Sequence, residues 1–245
     1  MYEYESRIGF SRCDVYKRLT LAGLIDMFQD CSTFQSEDIG FGFDVLEKQN
    51  LAWVINYWEL DVEELPHLCD RVIVGTFPYD INTFFAYRNF YMKDDEGRFI
   101  VKANTFWTLL DMKKCIPARI GNDLRYAYEL ETKLDMNYSS RKVEIPTGED
   151  VKTVIGDRII ISGTYLDSNN HVNNGSYVKI ALEAAQKEAL PETIKSLRID
   201  YRKQAVLGDI IVPVVYISGY RTVVSLTDGA DIIYSVMEIK ASNKE

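Results

Sequence analysis

The residues best suited to chemistry lie at positions 167–177, where the chain reads DSNNHVNNGSY. This run holds an aspartate, a histidine and several asparagines directly before a stretch with helical periodicity. His171 is one of 2 histidines in the chain, and an imidazole can take a proton near neutral pH. If the segment is extended, the alternate residues Asp167, Asn169 and His171 project to one side. The run therefore predicts attack on a carbonyl compound by water that these side chains activate.

Part of the same run also has a structural explanation. Asp, Asn and Ser side chains cap helix N-termini by accepting hydrogen bonds from unpaired N–H groups. Capping requires one or two such residues, and the surplus favours a functional interpretation. The backbone N–H groups around Asn173, Asn174 and Gly175 are predicted to contact the substrate, because donors at a helix start can stabilise a developing oxyanion.

The elements that would position this run occur twice in the chain. A polar turn opened by Asp14 precedes apolar residues at helical spacing, and a turn opened by Asp167 precedes another such stretch that includes Tyr177. Each helical stretch is followed by long antiparallel hairpins, with turns at residues 94–97 and 228–231. One helix followed by a run of hairpins is typical of an α+β fold.

The polar stretch between the two halves indicates a domain boundary. We expect an N-terminal domain over residues 1–134, a linker over residues 135–150 and a C-terminal domain over residues 151–245. A strongly bent antiparallel sheet has a concave face to fill, and a long helix has an apolar stripe to bury. Each half is therefore expected to wrap its sheet around its own helix.

Composition disfavours several classes of function. The net charge of −9 argues against a nucleic-acid partner, which needs a basic surface. The 4 cysteines have no CxxC spacing, so we expect no metal site, and the glycine motifs of nucleotide cofactors are missing from the sequence. No apolar run reaches the roughly 18 residues that span a bilayer, so no membrane span is expected. The first residues lack a secretory pattern, which predicts a cytoplasmic location.

Several segments together carry a family resemblance. The run DSNNHVNN, the later SLRIDYRK at 196–203 and the earlier CDRVIVGTFPY at 69–79 resemble the acyl-ACP thioesterases of bacteria and plant plastids, over nearly the whole chain. The resemblance implies two tandem hot-dog domains, each a curved antiparallel sheet around a long central helix. It implies hydrolysis of the thioester between a fatty acyl chain and acyl carrier protein, without a cofactor. Asp167, Asn169 and His171 match the catalytic residues of that family one for one.

The chain departs from that family at two adjacent positions. Family members carry a glutamate, often followed by cysteine, where this chain has Gln204 and Ala205. A glutamine cannot accept a proton, so Gln204 is expected to hold the attacking water by hydrogen bonds. Either His171 or Asp167 is then the base, and the sequence leaves both open.

The remaining predictions concern substrate and partners. The acyl chain is expected to lie in the N-terminal half, near Met27, Phe28 and Trp53. Because acyl carrier protein is itself acidic, a local basic patch that includes Arg198 and Arg202 is predicted to bind it. Hydrolysis of acyl-CoA and acyl binding without catalysis remain open as alternatives, and so does a homodimer.

Overall fold

The computed structural model describes residues 1–188, 193–219 and 221–241. The chain divides into unit 1 (Met1–Tyr138) and unit 2 (Ser139–Glu245), and the boundary falls inside the segment predicted to be a linker. In each unit one long helix packs against antiparallel strands. The predicted α+β fold, with a hot-dog domain in each half, is confirmed.

Unit 1 has the strand order β1-β3-β4-β5-β2, and the short β6 pairs with the end of β5. Its strands are β1 (Tyr2–Arg7), β2 (Leu51–Val62), β3 (Arg71–Ile81), β4 (Phe85–Lys93), β5 (Phe99–Asp111) and β6 (Ile116–Pro117). Its helices are α1 (Leu21–Asp38), α2 (Phe43–Lys48) and α3 (Asn122–Ala127).

Unit 2 has the strand order β9-β12-β11-β10-β7, and the short β8 pairs with β10. Its strands are β7 (Lys152–Ile155), β8 (Ile159–Ile160), β9 (Ile194–Tyr201), β10 (Ile210–Ser218), β11 (Arg221–Thr227) and β12 (Ile233–Ala241). Its long helix is α4 (Asn174–Gln186). None of the helices within the described residues combines the length and the apolar character needed to cross a membrane.

The central helix of unit 1 is defined at both ends by local chemistry. The side chain of Thr20 caps α1 by accepting a hydrogen bond from the N–H of Gly23 at 3.0 Å. Beyond the helix, Gly40 has a φ of +79°, a conformation that glycine adopts without strain. Between these ends the side chains of Met27 and Phe28 are fully buried, so the helix forms the centre of the domain core.

Two apolar clusters stabilise unit 1. In the first, the ring of Phe28 lies 6.1 Å from Trp58 and 5.3 Å from Phe90 between centroids, and all three rings are fully buried. Burial of each such side chain contributes about 1.5–3 kcal/mol. The second cluster joins α2 and α3 to the sheet, and its buried members are Leu46, Ile81, Ala86, Leu109, Ile120, Leu124 and Tyr128.

The segment that follows α3 is fastened to the face of the unit 1 sheet that points away from α1. Phe90 packs on the helix, so its neighbour Asn89 projects to the opposite face. The side-chain oxygen of Asn89 accepts hydrogen bonds from the N–H of Leu134 and the hydroxyl of Tyr138, both at 3.0 Å. We call residues 131–138 the first strap, since they cover this face.

A second strap, residues 140–144, is held on unit 2 by arginines of the sheet. The carbonyl oxygens of this segment accept charged hydrogen bonds, which are stronger than neutral ones. The strap therefore has fixed partners, which its polar composition did not predict. Arg198 donates to the carbonyl of Ser140 at 2.5 Å, Arg202 to that of Val143 at 2.9 Å, and Arg221 to that of Glu144 at 2.7 Å.

Candidate active site

The predicted catalytic run folds into a tight turn. The N–H of Asp167 donates to the carbonyl of His171 at 2.8 Å, and Asp167 Oδ1 accepts from the N–H groups of Asn169 at 2.8 Å and His171 at 3.3 Å. Asn170 has a φ of +61°, which asparagine tolerates better than most residues. The expectation of an extended segment is wrong, because the Asp167 carboxylate bonds back to its own loop.

Unit 1 contains the same turn at Asp14. The N–H of Asp14 donates to the carbonyl of Arg18 at 2.8 Å, and Asp14 Oδ1 accepts from the N–H groups of Tyr16 and Arg18, both at 2.9 Å. Lys17 has a φ of +63°, which matches Asn170. The second oxygen, Oδ2, pairs with Arg18 Nε at 3.2 Å. His171 thus occupies in unit 2 the position that Arg18 occupies in unit 1.

The turn lies beside the segment that departs from the family pattern. His171 and Val206 are partners in an antiparallel bridge, and the N–H of Val172 donates to the carbonyl of Ala205 at 2.9 Å. Ala205 is fully buried, whereas Gln204 and Val206 are exposed. Gln204 therefore lies on the same side as His171, and such diagonal neighbours are about 7–8 Å apart. We call residues 204–206 the glutamine segment.

A buried tyrosine of α4 holds the glutamine segment in place. The hydroxyl of Tyr177 accepts a hydrogen bond from the N–H of Ala205 at 2.8 Å. Burial raises the pKa of Tyr177 to about 12, so the phenol stays neutral. Its ring lies 5.5 Å from Tyr201, whose hydroxyl donates to the carbonyl of Asn174 at 3.1 Å. This role of Tyr177 was not predicted from the sequence, although a tyrosine on the buried face of a helix usually needs a polar partner.

The start of α4 uses two of the three N–H groups that were predicted to contact the substrate, those of Asn173 and Gly175. The N–H of Gly175 donates to the side chain of Asn173 at 2.7 Å, which is the capping bond of the helix. The N–H of Asn173 donates to the carbonyl of Tyr165 at 2.9 Å, and the carbonyl of Asn174 accepts from Tyr201. The predicted oxyanion role of the Asn173 and Gly175 N–H groups is therefore wrong in this arrangement, because both groups are already bonded within the chain.

The residues predicted to line an acyl chain do not share one cluster. Met27 and Phe28 are fully buried in the core around α1. Trp53 is half-buried and packs against the second cluster, which joins α2 and α3 to the sheet. Its indole Nε1 is buried without a hydrogen-bond partner among the described residues.

The predicted basic patch is an internal network. Arg198 Nη1 pairs with the buried carboxylate of Glu238 at 2.9 Å, and Arg202 Nε pairs with Asp200 at 2.9 Å. Arg221 also binds Glu238, whose side chain is 3% exposed. Burial opposes ionisation of Glu238, but the hydrogen bonds from Arg221 and Arg198 outweigh it and lower the pKa of this carboxyl. Arg198 and Arg202 are thus each paired with a carboxylate, which argues against the predicted basic patch at these two residues.

The buried Cys31 is unsuited to act as a thiol nucleophile. Ala205, which takes the place of the cysteine that the sequence resemblance implies, has no thiol. Burial raises the pKa of Cys31 to about 12, and its Sγ donates to the carbonyl of Val74 at 3.6 Å. A thiolate is therefore strongly disfavoured at Cys31. No group of three or more metal-binding side chains was found in the described part of the chain.

Comparison with family models decides which family this is. Residues 1–128 match the model described as the acyl-ACP thioesterase N-terminal domain, and residues 149–230 match the acyl-ACP thioesterase C-terminal domain. The chain belongs to the acyl-ACP thioesterase family. The two matches cover most of the chain, and they confirm the resemblance found in the sequence.

Curated relatives in the acyl-ACP thioesterase family are distant in sequence. The acyl-acyl-carrier-protein hydrolase FATB1, chloroplastic, of Cuphea viscosissima is 23% identical over 230 residues, which cover 87% of this chain and 54% of the relative. The oleoyl-acyl carrier protein thioesterase 2, chloroplastic, of Arabidopsis thaliana is 24% identical over 212 residues, which cover 80% and 58%. The chain thus spans little more than half the length of these relatives.

Solved structures of thioesterases from a bacterium and a plant share the fold of this chain. An acyl-ACP thioesterase from Bacteroides thetaiotaomicron has a TM-score of 0.84 at 20% identity, covering 97% of this chain and 96% of that one. The 12:0-ACP thioesterase from Umbellularia californica has a TM-score of 0.80 at 18% identity, covering 98% and 96%. At such identities the likeness establishes the fold alone.

Proposed function

We propose that this protein hydrolyses the thioester between a fatty acyl chain and acyl carrier protein, releasing the free fatty acid. The observation that carries the proposal is the bridge between His171 and Val206, because it brings a proton acceptor beside the glutamine segment. Membership of the acyl-ACP thioesterase family supports the same reaction.

His171 is the base in this proposal. Its imidazole takes a proton from a water molecule while the water oxygen adds to the thioester carbonyl carbon. The tetrahedral intermediate then expels the sulfur of the carrier, which receives the proton from the imidazolium. The products are the fatty acid and the carrier thiol, so the imidazole is neutral again at the end.

Asp167 stabilises the charged form of that base. Its Oδ1 is bonded to the backbone of the turn, which leaves Oδ2 for a side-chain partner. In the matching turn of unit 1, the corresponding oxygen of Asp14 pairs with the cation of Arg18 at 3.2 Å. A protonated His171 stands at the position of Arg18. We therefore assign the proton transfer to the imidazole and the electrostatic role to the carboxylate.

The attacking water is held between His171 and Gln204. A separation of about 7–8 Å between diagonal neighbours leaves room for one water that bonds to both side chains. The amide of Gln204 orients this water and takes no proton. Asn169, exposed at the tip of the turn, is proposed to orient the thioester.

The acyl chain is proposed to bind in unit 1. Among the predicted contacts we retain Trp53, because it keeps accessible surface that Met27 and Phe28 lack. The partner is acyl carrier protein, and the reaction is proposed to take place in the cytoplasm.

Thiol release from a panel of acyl-ACPs tests the proposal. Wild-type protein is expected to turn over, and His171→Ala is expected to lose about 100-fold or more in kcat, since general-base catalysis contributes about that much. The matched control is His67→Ala. His67 is exposed and pairs with Arg18 in the corresponding bridge of unit 1, so its loss should leave kcat unchanged.

Two further substrates and variants separate the alternatives. Faster turnover of acyl-CoA than of acyl-ACP would make the protein an acyl-CoA thioesterase. If neither wild type nor Gln204→Glu releases thiol from any thioester, while acyl chains still bind, hydrolysis is refuted and the protein is an acyl-binding protein. Circular dichroism of each variant establishes that it is folded.

A further inference from the structure

Arg88, on β4 of unit 1, is a buried cation that the proposed mechanism does not use. Its surface is 7% exposed. Nη1 donates to Gln35 Oε1 at 2.5 Å and to Thr76 Oγ1 at 3.0 Å. The guanidinium lies over the rings of Tyr128 at 5.3 Å and Phe90 at 5.9 Å. Each of these groups is neutral, so none of them balances the charge.

Within the described residues, no carboxylate forms an ion pair with Arg88, and its Nε and Nη2 donate to no acceptor. Burial lowers the pKa of Arg88, yet a guanidinium stays protonated in proteins. An uncompensated buried charge is costly. In unit 2, by contrast, Arg198 is compensated by the carboxylate of Glu238. The core of unit 1 therefore contains a cation without its anion.

The free edge of this guanidinium is the one that binds carboxylates in a fork. Nε and Nη2 point in the same direction, and two parallel N–H donors match the two oxygens of a carboxylate. The neighbouring Trp58, whose ring lies 5.1 Å from Phe90, also has a buried Nε1 without a partner in the described chain. The guanidinium also lies over Tyr128 of the second cluster, against which the half-buried Trp53 packs, so the unpaired donors border apolar side chains that keep accessible surface and suit an anion attached to an apolar chain.

We propose that the interior of unit 1 binds a carboxylate carried on an alkyl chain, with Nε and Nη2 of Arg88 as its donors. Such a group has two sources. It is the head of a free fatty acid, or it is a carboxylate at the far end of an acyl chain whose other end is the thioester. Binding of the free acid does not depend on hydrolysis, whereas the second source rests on the proposed function.

Calorimetric titration of the full chain with dodecanoate tests the first source. Methyl dodecanoate has the same chain without the charge and is expected to bind at least about tenfold more weakly, as is dodecanoate to Arg88→Met. Arg98→Met is the matched control. Arg98 is exposed at the β4–β5 turn, so its loss should leave the affinity unchanged.

Turnover of two thioesters of equal length tests the second source. An acyl-ACP that ends in a carboxylate is compared with one that ends in a methyl group, in wild type and Arg88→Met. An Arg88-dependent preference for the carboxylate supports the proposal. If neither thioester reacts, the proposed function fails, and the dodecanoate titration still decides this inference.

The variants also distinguish an anion site from a structural arginine. Arg88→Met removes an uncompensated charge, so without ligand it is expected to unfold at an equal or higher denaturant concentration than wild type. Should it fail to fold, Arg88→Lys keeps the charge without the fork and is expected to bind dodecanoate more weakly. The proposal is overturned if wild type binds dodecanoate no better than its methyl ester and shows no preference between the thioesters, or if Arg88→Met retains both properties.

Discussion

Replacing Asp167 with asparagine separates the two functions of its carboxylate, which are to hold the turn by hydrogen bonds and to stabilise a protonated His171 by its charge. The asparagine retains a side-chain oxygen for the N–H groups of Asn169 and His171, so the turn should keep its shape. The substitution removes the negative charge that would face a protonated His171. Asp14→Asn makes the same change in the corresponding turn of unit 1, where no catalytic residue is proposed.

The size of the effect can be worked out from the unit 1 turn. Asp14 and Arg18 pair at 3.2 Å with side chains 30% and 40% exposed. Two charges about 4 Å apart attract by about 1 kcal/mol in water and about 4 kcal/mol at an effective dielectric of 20. For side chains this exposed, the cost of ordering them and screening by solvent leave about 0.5–1 kcal/mol, which corresponds to a loss of about two- to fivefold in kcat.

The assay is thiol release from acyl-ACP at saturating substrate, with urea denaturation alongside. Asp167→Asn should lose kcat within that range and keep most of its free energy of unfolding. Asp14→Asn should lose at most about 1 kcal/mol of stability and no activity, because exposed ion pairs contribute that little. Unchanged turnover in Asp167→Asn, or an equal loss in Asp14→Asn, would refute the electrostatic role.

Three other predictions follow from the buried polar contacts of unit 2. Tyr177→Phe leaves the N–H of Ala205 without its acceptor. Urea denaturation should then show a free energy of unfolding lower by about 1–3 kcal/mol, and kcat should fall with little change in KM. An unaltered kcat would contradict the positioning role. Arg198→Glu should cost about 3–5 kcal/mol of stability, because it breaks the buried ion pair with Glu238. A stable variant with only a raised KM for acyl-ACP would instead support the predicted patch that binds acyl carrier protein. The pKa of Glu238 is lowered in the folded protein. The ionised carboxylate therefore stabilises the fold above its ordinary pKa of about 4.5, and this contribution is lost as the pH falls through the lowered pKa. Wild type should thus lose more stability than Glu238→Gln between about pH 5 and pH 2.

The sequence predicted the elements better than it predicted the roles of single side chains. The repeated turn, the helix after it and the hairpins are local features, and their spacing is visible in the chain. The expectation that residues 167–171 are extended was wrong, because the alternation of Asp167, Asn169 and His171 also fits a strand. Asp14 could have indicated the turn, since it is the corresponding aspartate and opens a turn in the half that lacks the histidine.

Contacts between distant residues could not be predicted from spacing. Arg221 and Glu144 are 77 residues apart, and only the folded sheet brings the guanidinium to that carbonyl. A basic residue on a strand therefore looks like a docking candidate until its acidic partner is known. Arg88 is the opposite case, because its place in the strand FAYRNFYMK gives no sign that the guanidinium is enclosed.

The two straps determine how the protein can be dissected. Division between Tyr138 and Ser139 leaves each half with the residues that shield its own sheet. Division at the bounds drawn from composition would not: ending the first half at residue 134 removes the tyrosine that bonds to Asn89, and starting the second at residue 151 strips three arginines of their carbonyl acceptors. Exchange of halves between relatives should therefore use the junction between Tyr138 and Ser139.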